Sequence, residues 1–397
     1  MQVVLRKRGT GEGPVKTLLF VINVDWFFLS HFLPHALAAS GEYRVVVAAG
    51  STGKDEIIRS HGLEFHPLPL HRKGVGPLDE ARTFLSILDV IRHVRPDILH
   101  LFTIKPILYG SLASWALPPS AGVVNYVTGF GYVFSGSARA SLLRRLILPF
   151  YRFALRRPRS WCIFENSGDL EHAVERGFTT REQAVLIRGA GVDATKFSPR
   201  DAWPSPPVVL MACRMLWDKG IQTFLDAIPL VRRDFPDARF VLAGAPDEDN
   251  PTSIPLARLE EWARQGLVEY AGASSDMAGT INGASVVVLP SFHEGLPKVL
   301  AEAAACGKPL VASDIPGCRE VVKDGVNGLL VPVRDSARLA KQIQGGGVFF
   351  RKGRGPDRHF KGGIVHRCGS ISRRPAKTPM KKRGTGPLEE MTHAIGG

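Results

Sequence analysis

The chain has 397 residues, of which 44% are hydrophobic and 22% charged, a composition typical of a globular protein long enough for two domains. Its formal net charge is +14, but residues 345–397 hold twelve of the 51 Lys and Arg and only three of the 37 Asp and Glu. Because the basic excess is concentrated in this tail and no recognition motif accompanies it, nucleic-acid binding is not favoured.

The sequence predicts no membrane-spanning helix, because charged residues interrupt every apolar run before it reaches about 18 residues. The N-terminal residues contain no uninterrupted apolar segment that ends in a cleavage site, so no signal peptide is expected. The five cysteines are scattered without paired spacing, which favours a reducing cytoplasm and argues against a metal site.

The first half of the chain alternates strand and helix patterns. Residues 1–14 are expected to form a flexible extension, and residues 15–196 a Rossmann-like α/β domain. Short runs rich in Val, Ile, Leu and Phe, each closed by a turn signal, predict buried parallel strands. Residues 82–95 carry apolar side chains at helical spacing, so the whole pattern indicates a doubly wound sheet. The predicted strands are 17–24, 43–50, 96–102, 122–129 and 160–167.

The second half repeats this pattern after a break. A proline-rich polar stretch predicts a linker at residues 197–207, and the alternation restarts over residues 208–344, which predicts a second Rossmann-like domain. Two sequential α/β domains leave a cleft between the carboxyl ends of their strands, where ligands of such sheets bind. The predicted strands are 208–214, 238–244, 268–272, 285–291 and 309–314.

The composition of the sequence changes after Gln344. Residues 345–397 contain twelve glycines and four prolines without sustained hydrophobic periodicity. Such a segment cannot bury enough apolar surface to offset the entropy of ordering. We therefore expect a disordered basic tail.

The stretch SFHEGLPKVLAEAAACGKPLVASD, residues 291–314, places two glutamates around a predicted helix start. Pro297 suits the first position of a helix over 297–306, whose free N–H groups and positive dipole end favour a phosphate. Glu294 and Glu302 could accept hydrogen bonds from the hydroxyls of a ribose or hexose. Taken alone, however, this spacing favours an ordinary capped helix with one solvated glutamate.

Two cations flank a predicted strand-to-helix loop in residues 212–228. Arg214 follows the strand and Lys219 precedes the helix. The planar fork of an arginine and the point charge of a lysine can together hold a diphosphate. The alternative is that both are ordinary surface cations.

The order of these residues resembles that of the retaining nucleotide-sugar glycosyltransferases of family 4, which have the GT-B fold. Segments such as NVDWFFLSHFLP, HLFTIKPILYGSLAS and VVNYVTGFGYVF are similar to a bacterial subgroup that transfers N-acetylhexosamine, often N-acetylgalactosamine, to an undecaprenyl-diphosphate-linked sugar. Those enzymes build glycans for capsule, O-antigen or protein glycosylation. The resemblance covers roughly residues 15–344 and includes Arg214, Lys219, Glu294-Gly295-Leu296-Pro297, Glu302, Gly307-Lys308-Pro309 and residues 314–332.

The resemblance implies that three residues are catalytic. Arg214 and Lys219 would grip the donor diphosphate and stabilise the charge that grows on the leaving group, and Glu294 would orient the donor sugar. No metal or cofactor is implied beyond the donor, an NDP-sugar expected to be UDP-linked. Retention in this fold is expected to proceed by front-face attack, with the leaving phosphate helping to deprotonate the acceptor, so no general base is named.

Further donor contacts are implied around these three residues. Glu302 would accept the ribose hydroxyls. The backbone amides of Gly295 and Leu296, beside Pro297, would touch the phosphate or the sugar.

The first domain is implied to bind the acceptor, a polyprenyl-diphosphate-linked sugar. The candidates are polar side chains that follow its strands, although many relatives carry a glycine pair after the first strand and a histidine near residue 128. A structural role is as well supported as a functional one for each of them. The candidates are Asn23, Asp25, Trp26, Ser30, His31, His71, Arg72, Lys105 and Thr128.

Residues 138–161 contain seven arginines and no acidic residue. Arginine interleaved with Leu, Ile and Phe is typical of a helix that lies on an anionic membrane surface. The alternative is a domain helix with a basic outer face. Together with a lipid-linked acceptor, this segment favours a cytoplasmic protein that is peripheral on the inner face of the cytoplasmic membrane.

The sequence departs from the resemblance after residue 344. Family members continue with further helices, the last of which commonly crosses back onto the first domain, whereas the Gly/Arg/Pro-rich tail follows here. The departure suggests a frameshift, a premature end or a wrongly defined gene, or alternatively a natural disordered tail, and it leaves the activity of this chain open.

Two other functions fit parts of the sequence. A nucleotide-sugar 2-epimerase of the same fold would need further acid and base residues and would leave the arginine-rich segment unexplained. A non-catalytic nucleotide-sugar-binding remnant would be consistent with the tail.

Overall fold

The computed structural model describes residues 15–70, 76–129, 149, 151–200 and 203–345. These residues form two compact units, and the chain passes from one to the other between Ile187 and Arg188. No helix within the described ranges is long and apolar enough to cross a bilayer. The predicted extension at 1–14 and all but the first residue of the predicted tail at 345–397 lie outside the described residues. That first residue, Gly345, is not disordered as predicted but ends the last helix of the second unit.

The first unit is a seven-stranded sheet in the order β3-β2-β1-β4-β5-β6-β7, with every neighbouring pair parallel. Its strands β1 to β7 are Thr17–Ile22, Arg44–Ala49, Glu64–Pro67, Ile98–Phe102, Gly122–Val127, Ser160–Phe164 and Ala184–Leu186. The α-helices of this unit whose full extent the structure describes, α1 to α6, are Asp25–His31, Leu33–Ala39, Asp55–Ser60, Pro77–Val94, Ile104–Ala113 and Ser167–Glu175.

The second unit is a six-stranded parallel sheet in the order β10-β9-β8-β11-β12-β13. Its strands β8 to β13 are Val208–Ala212, Arg239–Ala243, Glu269–Gly272, Val286–Leu289, Leu310–Ser313 and Gly328–Val331. Its helices α7 to α12 are Ile221–Arg232, Leu256–Arg264, Met277–Asn282, Lys298–Ala305, Pro316–Val321 and Ser336–Gly345.

The apolar runs suit strands of a parallel sheet that is shielded from solvent on both faces. Every residue of β1, β4, β5 and β8 is buried. Helix α4 turns one apolar stripe inward, and its Ile87, Ile91 and Val94 belong to the core of the first unit. The predicted doubly wound α/β architecture is therefore correct in both units.

The predicted strands are all present, but three further strands were missed. Strands β3, β7 and β13 have four, three and four residues and are partly exposed. Each therefore lacks the continuous apolar run that identifies a buried strand in a sequence. All three lie at or near the edges of their sheets.

The division between the units differs from the predicted boundary after residue 196. Phe197 is buried in the core of the second unit, and Arg188 Nε lies 2.7 Å from Glu320 Oε2. The predicted linker at 197–207 also packs on this unit, because Asn282 Nδ2 donates to Ser198 O at 3.1 Å. The proline-rich composition marked the irregular backbone correctly but not the point where the chain changes units.

Strand order reverses beside the first strand of each unit. Strand β1 lies between β2 and β4, and β8 lies between β9 and β11. Ligands of open α/β sheets bind at such switch points, outside the carboxyl ends of the strands. In the second unit, the loops after β8 and β11 carry all the residues that the sequence predicts to bind the donor except Glu302, which lies on α10.

Candidate active site

The loops after β8 and β11 are joined to each other. The amide of Phe292 donates to Asp218 O at 2.9 Å, and Ser291 Oγ donates to the same oxygen at 3.3 Å. Gly220 has φ +78°, and a Cβ there would overlap the carbonyl oxygen of Pro290. Only glycine meets both demands at this position, so the close approach of the two loops depends on it.

This contact brings together two residues that the sequence separates widely. Lys219 Nζ lies 2.7 Å from Glu294 Oε1, and the two side chains are only 16% and 11% exposed. Opposite charges at this distance hold each other in place, more strongly where solvent is partly excluded. The proposed diphosphate cation and the proposed sugar-facing carboxylate thus form one ion pair.

The loop that carries Glu294 is also held from two other sides. A Cβ at Gly317, at the start of α11, would overlap the carbonyl oxygens of Glu294 and Gly295. The guanidinium of Arg334 lies 4.7 Å from the centroid of the Phe292 ring, a cation–π distance. The loop therefore has a defined shape at the carboxyl edge of the sheet.

Arg214 lies on the loop after β8, as predicted. Its Nη1 donates to Asp247 Oδ2 at 2.7 Å, and its side chain is 41% exposed. Asp247 was not among the predicted residues. The rule that identified Arg214, a charged residue shortly after the carboxyl end of a strand, could have found it, because Asp247 follows β9.

Helix α10 begins one residue later than predicted. Pro297 occupies the N-cap position with φ −73° and ψ 103°, and the helix runs from Lys298 to Ala305. Proline cannot donate a backbone hydrogen bond, so it is tolerated at either position. Gly295 and Leu296 lie just before the start of α10. The free backbone N–H groups at this start form the positive end of the helix dipole.

Glu302 is buried on α10 and only 7% exposed. Burial raises the pKa of its carboxyl, and the ammonium of Lys298, 3.4 Å from Oε1, opposes that shift. This burial does not fit the alternative in which Glu302 is the solvated glutamate of an ordinary capped helix. A buried carboxylate with one cation partner can accept further hydrogen bonds from a neutral polyol.

In the first unit, Asp25 has a structural role. It is fully buried, and its carboxylate accepts hydrogen bonds from Thr52 N at 2.7 Å, Thr52 Oγ1 at 2.6 Å and Lys54 N at 3.1 Å. These bonds tie the start of α1 to the loop after β2. The carboxylate is thereby committed within the fold.

Lys105 is likewise engaged within its own unit. Its Nζ lies 2.7 Å from Glu80 Oε1, and Tyr109 OH donates to Glu80 Oε2 at 2.6 Å. Burial raises the pKa of the Tyr109 phenol, and the Glu80 carboxylate adds to that effect. An incoming anion would have to compete with Glu80 for Lys105.

The other candidate acceptor-binding residues lie on different elements of the first unit. Ser30 Oγ and His31 Nδ1 are 2.7 Å apart on the exposed side of α1, and Thr128 is half-buried just after β5. Asn23 Oδ1 is buried without a hydrogen-bond partner in the described ranges. His71 and Arg72 lie outside the described residues.

Sequence reasoning also missed Thr103, which follows β4. It has φ 68° and ψ 169°, a backbone region that is essentially confined to glycine. Its Oγ1 is buried without a hydrogen-bond partner among the residues that the structure describes. No sequence pattern predicts this backbone conformation at a threonine.

Part of the arginine-rich segment 138–161 lies outside the described residues. In the described part, Arg157 is 4% exposed and donates to Ala121 O at 2.8 Å and Pro118 O at 2.9 Å. Arg152 Nη2 donates to Arg176 O at 2.9 Å. At least one of the seven arginines is therefore a buried structural residue and does not belong to a basic outer face.

No three His, Cys, Asp or Glu side chains form a group suited to a metal ion in the described part of the chain. The absence of a metal requirement stays a prediction. The two cations that the sequence predicts to hold the donor diphosphate, Arg214 and Lys219, both lie on the loop after β8.

Two family models each match most of the described part of one unit. The one described as "Glycosyl transferase 4-like" matches residues 17–164, and the one described as "Glycosyl transferases group 1" matches residues 206–345. The chain belongs to the family 4-like, group 1 glycosyltransferases. The resemblance found in the sequence is thus confirmed, and the protein is a glycosyltransferase.

Known relatives of this glycosyltransferase cover most of its length. It is 28% identical over 339 residues to the N,N'-diacetylbacillosaminyl-diphospho-undecaprenol alpha-1,3-N-acetylgalactosaminyltransferase of Campylobacter jejuni, a match that covers 79% of this chain and 87% of that protein. It is 29% identical over 251 residues to the phosphatidyl-myo-inositol mannosyltransferase of Mycobacterium leprae, covering 62% and 63% of the two chains.

Solved structures confirm the fold. Anabaena Alr3699/HepE, in complex with UDP and glucose, matches with a TM-score of 0.63 and 19% identity, covering 90% of this chain and 94% of that one. Sucrose-phosphate synthase from Thermosynechococcus elongatus matches with a TM-score of 0.70 and the same identity and coverage. The glycosyltransferase therefore has the GT-B fold, and nothing in these likenesses favours the 2-epimerase alternative.

Proposed function

We propose that this glycosyltransferase transfers an N-acetylhexosamine from a UDP-linked donor to a polyprenyl-diphosphate-linked saccharide, with retention at the anomeric carbon. The Campylobacter relative, whose name states an undecaprenol-diphosphate-linked acceptor and an N-acetylgalactosaminyl donor group, supports the choice of substrates. The UDP complex of the Anabaena neighbour supports the choice of nucleotide.

The observation that carries the proposal is the junction of the two loops at the switch point of the second sheet. It places Lys219 against Glu294 at 2.7 Å, and Arg214 lies on the same loop as Lys219. A donor diphosphate at this edge would meet two cations and the amide groups at the start of α10. Fixed positive groups aimed at a leaving diphosphate stabilise the charge that develops as the glycosidic bond breaks.

The two glutamates of the site would contact the sugar and the ribose of the donor. Glu294 would exchange some of its contact with Lys219 for a hydroxyl of the donor sugar, which it would orient. Glu302, buried on α10, would accept hydrogen bonds from the ribose hydroxyls. The acceptor hydroxyl would attack on the face from which the diphosphate leaves, and a phosphate oxygen would take its proton.

We place the protein on the cytoplasmic face of the cytoplasmic membrane, as a peripheral protein. A polyprenyl-linked acceptor is confined to the bilayer, and the arginines of residues 138–161 would favour an anionic surface. Among the described ones, Arg152, Arg156 and Arg159 are exposed. Sedimentation with liposomes that contain or lack anionic lipid tests this placement, and binding that does not depend on anionic lipid would contradict it.

The transfer assay tests the function itself. The protein is incubated with radiolabelled UDP-N-acetylgalactosamine, UDP-N-acetylglucosamine or UDP-glucose, with and without an undecaprenyl-diphosphate-linked sugar, and the organic phase is counted. We expect label in the organic phase only when the acceptor is present. Inversion at C2 of the donor would indicate an epimerase, and nucleotide binding without turnover would indicate an inactive remnant.

The matched control for this assay is a pair of arginine variants. Arg214→Ala removes a proposed diphosphate ligand, whereas Arg239→Ala removes an arginine paired with Glu269 at 2.6 Å at the amino end of β9. We expect Arg214→Ala to lower the transfer rate about a hundredfold or more, the usual scale for losing one electrostatic anchor. Arg239→Ala should leave the rate close to that of the wild type.

A further inference from the structure

Asp247 holds the guanidinium of Arg214 through a short ion pair. Arg214 Nη1 lies 2.7 Å from Asp247 Oδ2, and the side chain of Asp247 is 9% exposed whereas that of Arg214 is 41% exposed. A guanidinium has five N–H donors, and this hydrogen bond uses one of them. The arginine can therefore be oriented by Asp247 and still present donors to an anion.

The loop that carries Asp247 is bound to the loop that carries Arg214. The amide of Met215 donates to Ala245 O at 3.0 Å, and the amide of Ile254 donates back to Met215 O at 2.9 Å. The amide of Trp217 donates to Thr252 O at 2.9 Å. Three backbone hydrogen bonds on both sides of Asp247 leave the two loops little freedom to move apart.

The two loops also begin in close contact. Gly244 has φ +142°, and a Cβ at this position would overlap the carbonyl oxygen of Cys213. A side chain at residue 244 would push the start of one loop away from the other. The sequence therefore keeps this approach open with glycine.

The backbone of Asp247 is itself fixed. Its amide donates to Ser253 Oγ at 3.0 Å, and its carbonyl oxygen accepts from the amide of Asn250 at 2.7 Å. A carboxylate on a backbone held at both ends is a rigid support. This arrangement is what an anchor for a long, flexible arginine side chain requires.

We propose that Asp247 is a positioning residue that orients Arg214 toward the diphosphate of the donor. The inference rests on the proposed function, because it assumes that Arg214 contacts that diphosphate. The negative charge of Asp247 by itself repels an anionic ligand. Any contribution that Asp247 makes to diphosphate binding must therefore come from the orientation of Arg214. Two substitutions of Asp247 can test this, one that keeps the hydrogen-bond acceptor and one that removes it.

Asp247→Asn keeps an oxygen acceptor of nearly the same shape and removes the charge. Asp247→Ala removes the acceptor as well. If orientation matters, Asp247→Ala should weaken the binding of a diphosphate about tenfold, whereas Asp247→Asn should stay within about threefold of the wild type. Asp247→Ser, whose side chain is too short to reach the guanidinium, should behave like Asp247→Ala.

The test is calorimetric titration with UDP and, to remove any contribution of the base, with inorganic pyrophosphate. The proteins are the full-length wild type, the three Asp247 variants, Arg214→Ala and the double variant Asp247→Ala/Arg214→Ala. We expect Asp247→Ala to have no further effect once Arg214 is absent, because it acts through that side chain. Glu269→Ala, which breaks the exposed Arg239 pair, is the control and should bind as the wild type does.

The outcomes separate the inference from the proposed function. If the wild type binds UDP and pyrophosphate but Asp247→Ala binds them equally well, the positioning role is wrong and the function stands. The role is also wrong if Asp247→Ala weakens binding by the same factor with and without Arg214, or if Asp247→Asn loses as much as Asp247→Ala. If the wild type binds neither probe, the proposed function falls and the positioning role falls with it.

Discussion

Lys219 Nζ and Glu294 Oε1 are 2.7 Å apart, although 75 residues separate them in the chain. Both side chains are largely shielded from solvent, with 16% and 11% exposed. Each charge is therefore the main compensation for the other, and both are proposed to contact the donor. This ion pair is expected to contribute both to the free energy of unfolding and to the transfer rate. Variants of Lys219 and Glu294 can separate the two contributions.

Lys219→Met should lower both stability and transfer. It leaves the Glu294 carboxylate partly buried without its ion-pair partner, so we expect the free energy of unfolding to fall by about 2 kcal/mol. The double variant Lys219→Met/Glu294→Gln should recover most of the stability but none of the transfer rate. Urea unfolding and the transfer assay measure the two effects, and full stability in the single variant would argue against the pair as a structural element.

Glu302 gives a pH dependence of known sign. Because burial raises the pKa of its carboxyl above 4.5, the folded protein holds this proton more tightly than the unfolded chain does. Stability should therefore fall as the pH rises from the unfolded to the folded pKa. Glu302→Gln should remove that fall and be at least as stable as the wild type at neutral pH.

Thermal melts between about pH 4 and pH 8 check this expectation. Glu260→Gln, a change on the exposed face of α8, is the matched control and should leave the profile unchanged. Glu302→Ala should lower the transfer rate about a hundredfold or more. A near-normal rate in that variant would remove Glu302 from the donor site.

Lys308 should make the protein more stable in alkaline solution. Its side chain is 1% exposed, its Nζ lies 4.3 Å from the centroid of the Trp203 ring, and burial lowers its pKa from 10.5 to about 8. Between those two values the unfolded chain binds a proton that the folded protein has released. The free energy of unfolding should therefore rise with pH across that interval.

Lys308→Met removes the titrating group while keeping a side chain of similar length. We expect the free energy of unfolding at neutral pH to rise by about 1–3 kcal/mol and the alkaline increase to disappear. Denaturant unfolding over that pH range measures both effects. A loss of stability at neutral pH would mean that the contact with Trp203 outweighs the desolvation of the ammonium.

Gly220→Ala should damage the site through the backbone. The new Cβ would overlap the carbonyl oxygen of Pro290 and separate the loops after β8 and β11. Gly266→Ala is the matched control, because Gly266 has a similar φ of +67° and no atom close to the added Cβ. We expect Gly266→Ala to cost about 1 kcal/mol in stability and to leave UDP affinity unchanged.

Gly220→Ala should cost more stability than this control and weaken UDP binding at least about tenfold. Thermal melting measures the stability of the two variants, and calorimetric titration measures their UDP affinity. Equal effects of the two substitutions would show that the contact with Pro290 does not shape the site.

The sequence predicts the fold well because both sheets are buried and parallel. Strand β8 is buried along its whole length, so an uninterrupted apolar run identifies it. Strand β7, with three half-buried residues, offers no such run and was missed. The boundary between the units was misplaced because composition marks irregular backbone and says nothing of which core receives Phe197.

The sequence offers candidate residues for a donor site but not the contacts that they make. Arg214 and Lys219 were identifiable because they flank a strand-to-helix loop. Their partners Asp247 and Glu294 come from other strands, and pairing across strands depends on the strand order, which no local pattern encodes. The burial of Glu302 was missed for the same reason, since the neighbours that cover it are distant in the chain.

Arg214 and Lys219 are proposed to bind the diphosphate of a nucleotide-sugar donor. Calorimetric titration of UDP into the wild type, Arg214→Ala, Lys219→Ala and the control Arg239→Ala tests this claim most directly. We predict saturable binding by the wild type and the control, and affinities at least about tenfold weaker in the other two variants. Equal UDP affinity in all four proteins, or no binding by the wild type, would contradict the claim.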